Sequence, residues 1–517
     1  MKAEAIKRVG VIDIGSSSAR LIIGERQGSE VKTLESLRSV LPIGNDTFAS
    51  GVIAPETTRQ VLEILERYTL LLKEYDVSET QVFATTAVRD AENREIFLDV
   101  VRRKTGLEVE VFTPGDVVYY IVSYLCHHFR RRLPVEEKNM LVAELGAGTA
   151  DFSLLRRGAI VRTTGLPLGT MRLNQLLIEV SSGSALIALR DYVANELAQL
   201  RQSLPRIGVD GVILLSESLA YGLPPVLGRE RLTGKLHTLT RADAQEFARR
   251  CIGKPPDELV HEYRIPGDVA EILGGLAAIV EALFAIFQQP SAFVVETSLP
   301  EAVLTHRLQH PADLEQADKL RQLVSMARSL LHKYNADLRH AQQVARLARS
   351  LFAGLRTLLA LEPNDLSYLV LAAYLHDIGK FISSGGHHKH SEYLISSLHL
   401  FRLTDEELKV IASIARHHRR AMPSLDFALY RSLRPAHRLL VQKLTALLRI
   451  ADALDRAHAQ KVGQVEAKLD DSGWITVTAE CPEDAVLERI SFQDKKRLLE
   501  AITGCGVRLL AKGHAGS

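Results

Sequence analysis

The sequence is poor in the residues that staple or anchor a chain. Its four cysteines, Cys126, Cys251, Cys481 and Cys505, lie far apart and form no Cys-x-x-Cys pair. That spacing excludes a disulfide framework and a cysteine-bound zinc. Tryptophan occurs once, at Trp474, where packing is the expected role. Neither sign of charge dominates: 64 lysines and arginines face 62 aspartates and glutamates, for a formal charge of +2. Such a balance gives no footing for nucleic acid or for an anionic membrane surface. The longest apolar stretch, Gly274 to Phe287, contains Glu281 and is too short to span a bilayer. The amino-terminus is short and charged and runs straight into a strand, unlike a secretory leader. A reducing cytoplasm is the compartment these features predict.

With 517 residues, the chain is too long for one core, so several domains are expected. Val9 to Ile14 reads as a buried strand, Gly15-Ser16-Ser17-Ser18 as a tight turn, and Ala19 to Gly24 as the returning strand. The unit recurs. Met140 to Leu145 is apolar, Gly146-Ala147-Gly148-Thr149 turns, and Phe152 to Leu155 returns. Both copies carry an acid just before the turn, Asp13 and Glu144, and small or hydroxyl residues within it. Between them, helical periodicity over Pro55–Lys73 and Ala91–Thr105 alternates with strand-like Gln81–Thr85 and Glu108–Phe112. That alternation predicts α/β lobes, the second closing on a strand near Ala292–Glu296.

Glycine and serine in a strand turn let backbone N–H groups approach an anion with no Cβ in the way. The hydroxyls of Ser16, Ser17, Ser18 and Thr149 add donors. Asp13 and Glu144 are placed to hold Mg²⁺ or orient water. Two such turns facing each other would clamp a polyanionic chain. Either turn alone is as readily structural; their repetition favours phosphate.

Four ordered motifs carry a family resemblance. VGVIDIGSSSARLIIGE, VFATTAVRDAENREIF, LVAELGAGTADFSLL and LPLGTMRL resemble the Ppx/GppA phosphatases, the exopolyphosphatases and guanosine pentaphosphate phosphohydrolases. The resemblance implies an actin-like ATPase (ribonuclease H-like) fold, substrate between the lobes, and hydrolysis of terminal phosphoanhydrides with Mg²⁺. It places Arg89 at the family's phosphate-contacting arginine. It implies catalytic roles for Asp116, Glu144, Asp151 and Arg89, and phosphate binding by Asp13, Gly15, Ser16, Ser17, Ser18, Gly146, Gly148 and Thr149. The departures are specific. The family's second turn runs from aspartate to glutamate, whereas here it runs from Glu144 to Asp151. Its Gly-x-Glu-Glu-Ala segment, bearing the catalytic glutamate, reads Gly115-Asp116-Val117-Val118, so both acids are valine. Asp116 is adjacent, but neighbours on a helix point about 100° apart. Losing a positioned base costs about 10² to 10⁴ in rate. Ser216-Glu217-Ser218 replaces a glycine-rich turn, and Leu299-Pro300-Glu301-Ala302 replaces Leu-Arg-Glu-Gly.

From Leu314 to His458 helical periodicity takes over, and thirteen of the eighteen histidines fall between His306 and His458. His340, then His376-Asp377, then Asp452 follow the order of HD-domain phosphohydrolases, which this segment resembles. That likeness implies a divalent metal, Mn²⁺, Fe²⁺, Zn²⁺ or Mg²⁺, held by His340, His376, Asp377, His390, His417 and Asp452, with His418 also on offer. His127, His128 and His399 lack partners at ligand spacing.

The expected architecture is therefore lobe I over 1–133, lobe II over 134–308, an all-α HD-type domain over 312–460 and a small α/β appendage over 461–517. Three functions stay open. One is hydrolysis of polyphosphate or guanosine penta/tetraphosphate. The second is an HD phosphohydrolase with a phosphate-sensing front half. The third is a non-catalytic sensor. By resemblance, a homodimer is expected.

Overall fold

β1 (Arg8–Ile14) is apolar at nearly every position, so it must lie inside a sheet, buried on both faces. The computed structural model describes residues 7–28, 30–173, 185–205, 208–229, 235–310, 312–398, 400, 402–482 and 485–512. It divides into two compact units, Met1–Glu315 and Gln316–Ser517.

In the first unit, β1 pairs antiparallel with β2 (Ser18–Gln27), which pairs with β3 (Glu30–Val40). On its other side β1 runs parallel to β4 (Glu79–Ala84), followed by β5 (Val109–Val111), giving the order β3-β2-β1-β4-β5. The second sheet repeats the plan. β6 (Asn139–Leu145), β7 (Ala150–Arg156) and β8 (Ala159–Leu166) form the antiparallel meander. β9 (Gly211–Leu215), β11 (Ser291–Val295) and β10 (Leu236–Thr240) extend it, in the order β10-β11-β9-β6-β7-β8. Each lobe thus has a central strand, β1 or β6, with a hairpin on one side and a parallel neighbour on the other. Helix Pro55–Glu74 covers the first sheet so closely that a Cβ on Gly10 would lie 2.2 Å from Leu72.

Two expectations are corrected here. Lobe II does not run to 308. Helix Leu299–Gln309 crosses back to the first lobe, where His306 Nε2 lies 3.3 Å from the Tyr119 hydroxyl and Arg307 reaches Gln81 at 2.7 Å. Gly24 leaves room for Leu304 there; a Cβ would stand 2.8 Å from it. The apolar stretch ending at Phe287 belongs to a longer helix, Gly267–Phe287, whose 21 residues are long and apolar enough to cross a bilayer. Its Leu273, Leu276, Ile279 and Leu283 are buried in the second lobe's core.

In the second unit, the expected separate appendage packs onto the helices and shares their compact unit. β12 (Val465–Leu469) runs antiparallel to β13 (Trp474–Glu480), which is parallel to β14 (Gly506–Lys512). β12 presses on helix Leu338–Leu355 at Gly354, where a Cβ would meet the Ala467 carbonyl oxygen at 2.1 Å.

The tightest backbone approach in the first unit is at Gly169, after β8. A Cβ there would stand 2.1 Å from the carbonyl carbon of Gly148. Gly169→Ala is therefore expected to lower stability by about 1–3 kcal/mol. Gly208→Ala, with nothing within 4 Å, should stay within about 0.5 kcal/mol in the same urea titration.

Candidate functional site

The turns after β1 and β6 are closed by the same bond. Gly15 N–H donates to Ser18 O (2.9 Å), and Gly146 N–H donates to Thr149 O (3.0 Å). Segments further along the chain then fix each turn: Gly44 N–H donates to Ser16 O (2.7 Å), and Thr170 N–H donates to Gly146 O (3.1 Å). The two turns meet. A Cβ on Gly148 would lie 2.8 Å from Ser16 Oγ, and the hydroxyls of Thr86 and Thr149 are 3.1 Å apart. They form one wall of a cleft of about 1210 Å³ lined by Asp13, Gly15 to Ser18, Arg89, Glu144, Gly146 to Thr149 and Asp151.

Three of these residues are acids in a poorly solvated place. Burial pushes the Asp13 carboxyl up to about 7, against the pull of Arg20. Burial, with the charges of Asp151 and Asp13, pushes Glu144 up to about 8. Burial raises Asp151 to about 6, against Arg89 and a hydrogen bond from Thr149. One oxygen each of Asp13 and Asp151 is buried with no hydrogen-bond partner. Unpaired, buried carboxylate oxygens are costly. As a set they suit a hard cation, which takes oxygen ligands.

Arg89, from helix Thr86–Asp90, is steadied by donating to Phe112 O (2.8 Å) and Thr86 Oγ1 (3.1 Å). Asp116 is the exception among the expected catalytic residues. It is not on the cleft wall. It is the third residue of helix Pro114–His128, and its Oδ2 accepts from Thr113 N–H and Thr113 Oγ1, both at 2.7 Å, in a capping box. Val117 and Ile121 line the cleft from that helix instead.

Apart from Arg89, sequence reasoning missed the cleft's cations and their pairing. Arg20 stands opposite Asp13 in the β1–β2 register and pairs with Glu217 across the lobes at 2.5 Å. Arg38 pairs with Asp268 at 2.7 Å. The signal for Arg20 was available: strand alternation puts it on the face of Ser18.

The second unit gathers a different set. His340 and His376 bring their Nε2 atoms to 3.3 Å, with Asp452 Oδ1 at 3.5 Å from His340. Asp377, following His376 at the end of helix Asp365–Leu375, joins them. The expected His390 and His417 do not. His390 lies one turn along helix His387–Ser396 from His387, and it is His387 Nε2 that reaches Asp377 Oδ1, at 3.3 Å. His417 donates to Ser413 O and packs its ring against Phe427, while its neighbour His418 turns inward to His387 (3.4 Å). His399 lies outside the described residues. Burial opposes protonation of His340, but hydrogen bonds to Asp452 and Asp455 and nearby carboxylate charge raise it to about 9. Lys495, from helix Val486–Lys495, stands 3.6 Å from Asp452, so the carboxy-terminal segment contributes to this cluster.

Paired central strands, each turning through a tight glycine-bearing loop into a shared cleft, define an actin-like ATPase-fold protein. The chain belongs to the Ppx/GppA phosphatase family: the family's sequence model matches residues 21–310, and that of Ppx/GppA phosphatase domain III matches 320–489. Among curated relatives, exopolyphosphatase 1 of Mycobacterium bovis is 28% identical over 37% of this chain and 56% of its own length. The bifunctional 3-dehydroquinate synthase/phosphatase of Fusobacterium nucleatum is 25% identical over 39% and 32%. The match to these two therefore spans about a third to about half of their length. The guanosine-5'-triphosphate,3'-diphosphate pyrophosphatase of Pseudoalteromonas translucida is 22% identical over 85% of this chain and 86% of its own. In structure, the Aquifex aeolicus Ppx/GppA family member (TM-score 0.51, 21% identity) and a Cytophaga hutchinsonii exopolyphosphatase (0.52, 19%) cover 59% and 58% of this chain and 98% of theirs. They share the fold of the first unit.

Two outcomes follow from this geometry. The folded state holds the protons of Asp13, Glu144 and Asp151 more tightly than the unfolded chain does, because their folded values are raised. Their contribution to stability is complete below about pH 4 and is lost as pH rises through about 6 to 8. Urea midpoints in metal-free buffer should fall over that interval in the wild type and fall less in Glu144→Gln; parallel profiles would refute the assignment. Asp116→Ala should cost about 1 kcal/mol as a lost cap and leave phosphate release per folded molecule unchanged.

Proposed function

We propose that the cleft binds the phosphate chain of inorganic polyphosphate or of a guanosine penta/tetraphosphate with Mg²⁺ and removes its terminal phosphate slowly. One observation carries this reading: two hairpin turns from separate lobes touch at Gly148 and Ser16, beside buried, unpartnered carboxylate oxygens. The names of the relatives, exopolyphosphatase and guanosine-5'-triphosphate,3'-diphosphate pyrophosphatase, support the phosphoanhydride class.

The roles follow from position. Backbone N–H groups of the turns and the hydroxyls of Ser16, Ser17 and Thr149 would hold phosphate oxygens. Arg89 would steady the leaving chain. Asp13, Glu144 and Asp151 would hold Mg²⁺, whose chemistry is to neutralise charge on the transferred phosphoryl group. The rate is limited by what lines the wall opposite: Val117 stands where the family's acid pair begins and can accept no proton. Glu144 or Asp151 is left to orient water.

A second reading is favoured by one further observation. The histidines and aspartates of the second unit meet at 3.3 to 3.9 Å, which supports an HD-type module acting on a nucleotide or phosphoester there.

Phosphate release from polyphosphate and guanosine pentaphosphate separates these readings. Arg89→Ala should reduce release by about 10²-fold if the cleft is responsible. Val117→Glu should raise it, toward the factor of about 10² that a positioned base provides. Release that survives Arg89→Ala and is lost in Asp377→Ala would move the activity to the second unit. Ligand binding with no release by wild type or Val117→Glu would leave a sensor.

A further inference from the structure

Arg20 and Arg38 stand directly opposite each other on β2 and β3, and Arg20 in turn stands opposite Asp13 on β1. Residues in register on antiparallel strands share one face of the sheet, so the three form a row. All three line the cleft. Like charges directly opposite in a sheet are unfavourable, and negative charge brought to them relieves the conflict. Here the second lobe brings it. Arg20 Nη1 meets Glu217 Oε2 at 2.5 Å, and Arg38 Nη1 meets Asp268 Oδ2 at 2.7 Å. Arg38 Nε also donates to Ser18 Oγ at 3.4 Å, which joins the arginine doublet to the first turn.

Both acids lie in the first turn of a helix, Glu217 in Glu217–Val226 and Asp268 in Gly267–Phe287. The helix dipole favours negative charge at that end. Two groups that attract anions, one from each lobe, therefore enclose each carboxylate.

As structural ties the two pairs are weak. Their side chains are 27% and 41% exposed in the first pair, 42% and 52% in the second. Pairs this open shift an equilibrium by about 1.4- to 5-fold each. Glu217 also works against its surroundings: burial raises the Asp13 and Glu144 carboxyls, and the charge of Glu217 adds to the rise in both. A strut that contributes so little, beside acids that already resist ionising, is suited to exchange. Among the described residues each contact runs through Nη1 alone, whereas the fork of an arginine holds two oxygens of one phosphate at once.

We propose that Arg20 and Arg38 are a second phosphate-binding subsite of the cleft, for the phosphoryl groups of a linear chain, and that Glu217 and Asp268 are internal stand-ins that occupy it until the chain displaces them. It rests on the phosphate reading of the cleft above and adds residues to which that reading gives no part. Exchange breaks two ion pairs that tie the lobes, so ligand entry and loosening of the closed cleft are one event. It leaves the net charge of the wall unchanged, so the chain still carries its own Mg²⁺.

Binding of tripolyphosphate with Mg²⁺ to the full-length protein is measured by calorimetry, with folding followed by circular dichroism. Glu217→Gln and Asp268→Asn should each tighten binding about 2- to 5-fold, although each loses an ion pair. Arg20→Gln and Arg38→Gln should each weaken it about 10- to 100-fold. Double-mutant cycles decide the matter. Glu217→Gln should have no effect in an Arg20→Gln background, and Asp268→Asn none in Arg38→Gln, because each acid acts by holding its arginine. Tightening of equal size in both backgrounds shows the acids acting only through the overall charge of the cleft, and overturns the proposal. So does binding that Glu217→Gln and Asp268→Asn leave unchanged or weaken. If Arg89→Ala still weakens binding in those cases, the phosphate reading stands without this subsite. If neither wild type nor any variant binds, both fall.

Discussion

The close approach at Gly148 is the constraint on which the first unit depends. Ser16 and Thr86 reach it from one lobe, and the backbone of Gly169 closes behind it from the other. With any side chain at Gly148 or Gly169 the turns could not nest. Nesting in turn strips water from the acids that precede or follow each turn, which is why Asp13, Glu144 and Asp151 all hold protons more tightly than carboxylates in water. Architecture and electrostatics here have one cause.

Much of this was legible because it is local. Strand–turn–strand units at Asp13 and Glu144 announce themselves by alternation and small residues, and LPLGTMRL contains the glycine that the second turn leans on. Thr113 and Asp116 also carried a legible signal, a hydroxyl three residues before an acid at a helix start, which is a cap before it is a catalyst. What escaped was set by tertiary contact. Arg20 and Glu217 are 197 residues apart in sequence. The return of helix Leu299–Gln309 to the first lobe depends on Tyr119, Gln81 and Gly24, none of them near it in the chain.

The histidines show the limit sharply. His417 and His418 are neighbours just past the end of helix Asp405–Arg416, and the turn there sends one ring to Phe427 and the other to the carboxylates. His387 and His390 differ by one helical turn on a helix whose start, at Gly386 in a left-handed conformation, no composition rule fixes. Residue type and order identify the cluster; only the local backbone, the phase of one helix and the turn ending another, says which member of each pair belongs to it.

The charges of the cleft constrain how a polyanion could enter. Its wall carries Asp13, Glu144, Asp151, Glu217, Asp268 and Glu271 against Arg20, Arg38, Arg89 and Lys254. Two of the four cations are engaged across the lobes, Arg20 by Glu217 and Arg38 by Asp268. A third, Lys254, is held by Glu258 and Glu262. A bare phosphate chain would meet a wall with more acids than free cations. Such a ligand is welcome only if it brings cations with it, or if the acids keep their protons. Since burial raises Asp13 to about 7 and Glu144 to about 8, the two routes compete near neutral pH. On the proposed function, a proton on Glu144 would favour the anion but disarm the group left to orient water. On that same proposal, a metal ion would admit the anion while leaving the carboxylates charged, so turnover and metal occupancy would be coupled through the same buried acids.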